Sequence, residues 1–155
     1  MSTSEVRVER VQAPLLYELR RRILRGNDPE VDVVDPLDDE STSLHFGGFV
    51  DDRVVVSASF FPAAAPIRGD LVSYQLRYMA TDFVVQGKGY GAKVQGVAFS
   101  ELRALGAEQV WAKARDSALG FYCATGWSVV EGSEHLSPLT KLPHHVIIRI
   151  LADDA

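Results

Sequence analysis

The sequence predicts an α+β fold: one domain of strands and helices, in which the strands before residue 92 read as antiparallel. Three observations carry this. Apolar or alternating segments recur at residues 5–10, 44–50, 53–61 and 71–81, and Asp51-Asp52 joins the middle two as a hairpin. A stretch of helical period follows at 89–105. The 155-residue chain, 46% hydrophobic and 24% charged, is of a size and composition to bury one substantial core.

In order, Val6 and Val8 alternate with charged neighbours, the period of a half-buried strand. A helix is predicted next, with Pro14 in its first turn, where a missing N–H costs nothing. Leu15, Leu16, Leu19 and Ile23 share one face, and Arg20, Arg21, Arg22 and Arg25 are expected on a solvated remainder. Gly26 suits the helix end. Residues 28–40 form a loop with seven carboxylates, Asp28, Glu30, Asp32, Asp35, Asp38, Asp39 and Glu40. A cationic substrate or a basic partner would be drawn to it, and a solvated, mobile loop is the plainer alternative. Its spacing lacks the glycine and terminal glutamate of a calcium loop in their required places.

Residues 62–69 are a small-residue loop with two prolines, and 71–81 is the longest strand candidate, rich in β-branched and aromatic residues. The helix at 89–105 is expected to face the core with Val94, Val97, Ala98, Leu102 and Leu105, and Gly106 to cap it. A buried strand at 109–114 precedes a short helix through Ala124, which Asp116 or Ser117 can cap. Gly126 closes that helix, and residues 127–130 and 146–151 are the last two strands.

Composition narrows the function. A net charge of −5 argues against nucleic acid as the main partner. No apolar run approaches the ~20 residues of a membrane span, and MSTSEVRVER lacks a secretory layout. One cysteine, Cys123, allows no internal disulfide, so a cytoplasmic protein is expected. No metal-ligand set is read: His144 and His145 are adjacent, and neighbouring strand residues point to opposite faces.

The chemistry concentrates at the glycine-rich turn. Gly87, Gly89 and Gly91 leave little side-chain bulk, so backbone N–H groups can approach a ligand closely. The helix behind them favours an anion, phosphate above all, at its positive end. A plain strand-to-helix turn is the alternative. A P-loop is excluded because Lys88 is followed by Gly89 rather than Ser or Thr. A dinucleotide motif is formally present as Gly87, Gly89 and Ala92, but only 63 residues follow Ala92, too few for that fold.

Gln86-Gly87-Lys88-Gly89-Tyr90-Gly91 matches the (Gln/Arg)-x-x-Gly-x-(Gly/Ala) signature, and the likeness extends well beyond it. LRYMATDFVVQGKGYGAKV, WAKARDSALGFYCATGWSVVEG and LPHHVIIRI resemble the fourth strand with its cofactor helix, the fifth strand with its helix, and the Pro-His final strand of the GNAT superfamily of N-acetyltransferases. The resemblance covers residues 44–151, with 5–43 following by order of elements. It implies a central mixed, mostly antiparallel sheet of six to seven strands, about four helices, and splayed fourth and fifth strands. It also implies acetyl transfer from acetyl-CoA (coenzyme A) to a primary amine by direct attack in a ternary complex, and a homodimer paired through the last strands.

By the same resemblance, backbone groups of Met79, Ala80 and Thr81 hold the pantetheine arm and polarise the thioester carbonyl. The amides of Gln86, Gly87, Lys88, Gly89, Tyr90, Gly91 and Ala92 cradle the pyrophosphate, and Ser117 and Phe121 line the cofactor channel. Tyr122 is placed as the general acid for the departing thiolate, against the alternative of a plain core aromatic. Two departures stand out. Lys113 replaces an asparagine found in many relatives, and the fourth strand carries no carboxylate base. His45, Asp70, His144 and a water relay are the candidates for that base, with His144 first by its motif position. A non-catalytic CoA sensor of the same fold, or a structural subunit that binds no CoA, are the rival functions.

Overall fold

The computed structural model describes residues 5–151. Eight strands and three helices alternate as β1 (Arg7–Val11), α1 (Tyr17–Leu19), β2 (Leu44–Val50), β3 (Arg53–Pro62), β4 (Ser73–Thr81), α2 (Tyr90–Ala104), β5 (Gln109–Arg115), α3 (Leu119–Ala124), β6 (Ser128–Val129), β7 (His135–Leu136) and β8 (Pro143–Ile150). The strand order is β1-β2-β3-β4-β5-β8-β6, with β7 added on β8. Where pairings are resolved all are antiparallel except β4–β5, which is parallel over Ser73–Gln75 against Gln109–Trp111. The α+β expectation holds, with the strand expected at 127–130 reduced to β6 and one very short strand, β7, added. Among the described residues, no helix is long and apolar enough to cross a membrane. The chain divides into two compact units, one running through Phe61 with Leu76–Glu101, the other comprising Pro62–Gln75 and the residues from Leu102 on.

In the first unit the expected hairpin forms, with β2 and β3 in register from Leu44↔Phe60 to Val50↔Arg53 and a bulge at Gly48/Phe49. Asp51 takes a φ of +53°, which aspartate tolerates in a tight turn. A Cβ on Gly48 would lie 2.9 to 3.0 Å from Val94, Val56 and Val6, so only glycine lets helix and strands meet there. Phe60 packs edge-to-face on Phe46 and on Phe99 of α2. The buried stripe of α2 is Gly91, Val94, Gln95, Ala98, Phe99 and Leu102. Val97 and Leu105, expected in the core, are instead 38% and 58% exposed, Val97 because the stripe lies one position away from it and Leu105 because α2 ends at Ala104.

The predicted first helix is a succession of tight and wide turns: 3-10 at Ala13–Leu16, α1, then a π turn at Arg20–Leu24. Leu16 and Leu19 are fully buried, but so is Arg20. This corrects the solvated arginine face. Arg20 stands four residues after Leu16 and three before Ile23, on the apolar side, and it is kept there by partners from distant segments.

In the second unit β8 is the central strand, paired with β5 from Gln109↔Ile150 to Arg115↔His144 and carrying β6 and β7 on its other edge. Trp111 and Val146 pack with Ala65, and the indole donates to the Ala63 carbonyl at 3.0 Å. Gly126 closes α3 at φ +95°. Neither Asp116 nor Ser117 caps the helical turn: the residues at both capping positions, Arg115 and Ala118, make no side-chain cap.

Candidate functional site

The end of β4 is held by an unusual residue. Tyr78 lies inside a strand with a φ of +59°, a conformation that costs a bulky aromatic on the order of 1–3 kcal/mol. Its surroundings hold it there. The hydroxyl donates to Asp35 at 2.6 Å, and the Tyr78 carbonyl accepts from the Ser57 hydroxyl at 2.7 Å. The Arg20 guanidinium lies 4.1 Å from the ring centroid and that of Arg77 at 5.0 Å, with Phe61 edge-on. Burial first, then the Asp35 hydrogen bond, push the phenol up to about 12, so it stays a donor. Met79, Ala80 and Thr81 follow this left-handed residue at the end of β4.

Asp82 then fixes the exit from the strand. It is fully buried, its amide donates to the Val55 carbonyl at 2.8 Å, and its carboxylate caps the 3-10 turn Phe83–Val85 by accepting from Val84 at 3.1 Å. Arg22 at 2.8 Å and Arg53 at 3.2 Å pair with the same carboxylate. The Arg22 hydrogen bond, opposed by burial, holds the Asp82 carboxyl below its usual range.

The glycine loop leaves this anchored turn directly. Gln86 turns its amide back to the Thr81 carbonyl at 3.1 Å. Gly87 and Gly89 take φ of +85° and +80°, which only glycine adopts without strain. A Cβ on either would meet nothing within 4 Å, so conformation and open approach, not crowding, account for these glycines. Residues 86–89 are exposed, α2 starts at Tyr90, and its first turn carries no acidic residue. Lys88 adds a positive charge within the loop, and Lys93 in the first turn of α2 lies 3.9 Å from Glu5. The loop has the chemistry of an anion site.

The acidic loop is not the free patch that its composition implies. Asp38 is buried and bonds Arg20 twice, at 2.8 and 3.0 Å, and also accepts from Tyr17 and the Asp35 amide. Asp35 holds Tyr78 and Arg77. Asp28, Asp32 and Asp35 each bond the amide two residues on, folding the loop locally. Two of the seven carboxylates are thus spent inside, and Asp28, Glu30, Asp32, Asp39 and Glu40 remain exposed.

In the second unit, Tyr122 is buried on α3, edge-to-face with Phe121 at 5.1 Å and Trp127 at 5.4 Å. Burial raises its phenol well above the usual tyrosine value, so the group is a neutral proton carrier at physiological pH. Ser117 and Phe121, four residues apart, are both exposed, as is Lys113 on β5. His144 opposes Arg115 across the β5–β8 pairing, and its Nδ1 lies 2.9 Å from the Leu142 carbonyl. A carbonyl only accepts, so Nδ1 donates there, and in the neutral ring Nε2 is the acceptor. The other proposed bases fare differently. His45 is buried with both nitrogens engaged, by Ser59 at 2.7 Å and the Asp38 carbonyl at 3.0 Å. Asp70 is an exposed surface residue 3.6 Å from Arg68.

Met79–Thr81 and the Gln86–Ala92 loop therefore lie together in the first unit, and Ser117, Phe121, Tyr122 and His144 in the second. Sequence reasoning missed Tyr78, Asp82 and the Arg20–Asp38 pair. Arg20 had a signal in its i+4 spacing from Leu16, and Asp82 in its place before a helical turn. The positive φ of Tyr78 had none.

No family model matches the chain. It is 32% identical over 111 residues to the uncharacterized N-acetyltransferase YitI of Bacillus subtilis (strain 168), spanning 72% of this chain and 74% of that protein. The fold superposes on an acetyltransferase of the GNAT family from Staphylococcus aureus Mu50 with a TM-score of 0.70 and 15% identity, covering 94% and 99% of the two chains. It also superposes on an aminoglycoside 6′-N-acetyltransferase complexed with coenzyme A, with a TM-score of 0.67 and 11% identity over 94% and 97%. With the glycine loop at the start of α2 and this relative in view, the chain belongs to the GNAT superfamily of N-acetyltransferases.

Proposed function

We propose that the protein transfers an acetyl group from acetyl-CoA to a primary amine, by direct attack in a ternary complex. The observation that carries this is the open glycine loop, Gly87 and Gly89 at positive φ, leading straight into the acid-free N-terminus of α2. The amides of Gln86 through Ala92 fit a pyrophosphate, and the resemblance to the family assigns an extended amide-bearing arm to backbone groups of Met79, Ala80 and Thr81. Bound there, acetyl-CoA supplies the acetyl group as an activated thioester. Binding and orientation fall to the loop and strand. Tyr122 holds the proton destined for the leaving sulfur, and His144 Nε2 takes the proton that the attacking amine must lose. Positioning contributes most of the acceleration.

Acetyl transfer to a panel of amines, followed by thiol release, tests this reading. Tyr122→Phe should lower kcat by about 100-fold or more while acetyl-CoA affinity stays within about threefold of the parent protein. A CoA-binding module without turnover would bind the cofactor and acetylate nothing on the panel, and that result would displace the enzyme reading.

The acceptor is proposed to be cationic, on the strength of the five exposed carboxylates of residues 28–40. Asp39→Asn with Glu40→Gln should raise the KM for a polyamine several-fold at low salt and much less at high salt. Unchanged acceptor kinetics would remove the idea. Asp35 and Asp38 are unsuitable for that test, because both are buried and paired.

A further inference from the structure

Outside the proposed acetyl-transfer machinery, one cluster of charged and ligating side chains is assembled by strand register. His145 opposes Ala114 in the β5–β8 pairing, one residue before the strand end and two before Asp116. His135 opposes His144 in the β7–β8 pairing, which sets Glu134 beside His145 on the other edge. Three segments, the end of β5, the turn before β7 and β8 itself, therefore bring an aspartate, a glutamate and a histidine together. The Asp116 carboxylate lies 2.6 Å from His145 Nδ1, and Glu134 Oε2 lies 3.8 Å from Nε2. One donor atom from each of the three falls within 4.8 Å of the others.

Asp116 is turned towards the imidazole and caps no helix, although its position at the start of a helical turn offers that role. His145 is 19% exposed and Asp116 33%, so the cluster is held by the sheet but open to solvent, and Glu134, at 69%, is free to swing. We propose that Asp116, Glu134 and His145 form a binding site for a divalent transition-metal ion of the zinc class. A neutral imidazole and two carboxylates carry two negative charges, which match the ion. The mixed nitrogen and oxygen donor set suits zinc, cobalt or manganese better than calcium or magnesium, which take oxygen alone. An imidazole binds an ion through one nitrogen, and bonds of about 2.1 Å place ligand atoms about 3.5 Å apart, so an ion on Nδ1 requires Asp116 to draw back by on the order of an ångström and the exposed Glu134 to swing round from the Nε2 side. Three protein donors leave a fourth position for water.

The other histidine pair is differently disposed. His135 and His144 rings are 5.8 Å apart, but each turns Nδ1 to a backbone carbonyl, Ser133 and Leu142 respectively. They serve as the internal control.

Chelator-stripped, untagged full-length protein titrated calorimetrically with Zn²⁺, and with Co²⁺ by visible absorption, tests the site without any acetyl-transfer assay. Its outcome is therefore independent of the proposed function. One equivalent should bind, with Co²⁺ bands of a four-coordinate centre. His145→Gln and Glu134→Gln should each weaken Zn²⁺ binding by about tenfold or more, and His144→Gln should leave it unchanged. Glu134 is a surface side chain, so its variant folds whatever becomes of the histidine variant. Absence of one-to-one binding in the parent protein, undiminished binding by Glu134→Gln, or an equal loss in His144→Gln would overturn the proposal.

Discussion

Acetyl-CoA affinity should fall by about 100-fold or more when Gly89 is replaced by glutamate, with the fold retained. Two effects add. Gly89 sits at φ +80°, which costs a side-chain-bearing residue about 1–2 kcal/mol, so the loop relaxes away from its ligand-ready shape. The new carboxylate also stands at the N-terminal end of α2, where an anionic ligand is proposed to bind. Together these are worth about 3 kcal/mol, which corresponds to about 100-fold in Kd. The added Cβ meets nothing within 4 Å, so the core is undisturbed. Gly89→Ala carries only the conformational part and should lose about tenfold. Isothermal titration with acetyl-CoA and CoA reads both, with circular dichroism as the check on folding. Equal affinity in parent and Gly89→Glu would remove the loop from the cofactor site.

Asp38→Asn should cost about 3–5 kcal/mol of folding stability, measured by urea unfolding. Arg20 and Asp38 are each about 1% exposed in their side chains and bond each other twice, so removing one charge leaves the other buried and uncompensated. Arg20 also donates to the Val33 carbonyl at 2.8 Å and the Ser59 hydroxyl at 3.0 Å, which hold it in place and prevent escape to water. Burial alone would raise the Asp38 carboxyl, but the Arg20 hydrogen bonds, the Asp35 amide and Tyr17 outweigh it and hold the group below its usual range. The sign of the pH dependence follows. A carboxylate with a depressed folded pKa adds stability that is fully present above its unfolded value of about 3.9, and this is lost as pH falls through the folded value. Stability should therefore decline on acidification below about pH 4 in the parent protein, and less steeply in Asp38→Asn. A loss under 1 kcal/mol in the variant would contradict the pair's place in the fold.

Much of this molecule is legible in local pattern. Alternation and the Asp51-Asp52 turn locate β1, β2 and β3, because strand period and turn chemistry depend on near neighbours. The glycines of residues 87–91, read with the following helix, mark the loop proposed to bind an anion for the same reason. The runs at 76–94, 111–132 and 142–150 point to the family, which the 32% identical relative then shows.

What the pattern does not decide is which polar residue on a buried face will find a partner. Arg20 and Asp38 are eighteen residues apart and Asp35 and Tyr78 forty-three, and a composition-based reading leaves the three charged ones in solvent. Only the packed chain brings them within hydrogen-bond distance. The same holds for Val97, which helical period places inside but the rotation of α2 places outside, for Leu105, which lies beyond the helix end, and for Asp116, which leaves a cap for His145 twenty-nine residues away. Local sequence determined the elements, their order and the glycine loop of this protein. Tertiary structure alone decided the burial of Arg20, the left-handed turn at Tyr78 and the meeting of Asp116, Glu134 and His145, because burying a charge or a strained backbone is tolerated only where distant segments supply the compensating bonds.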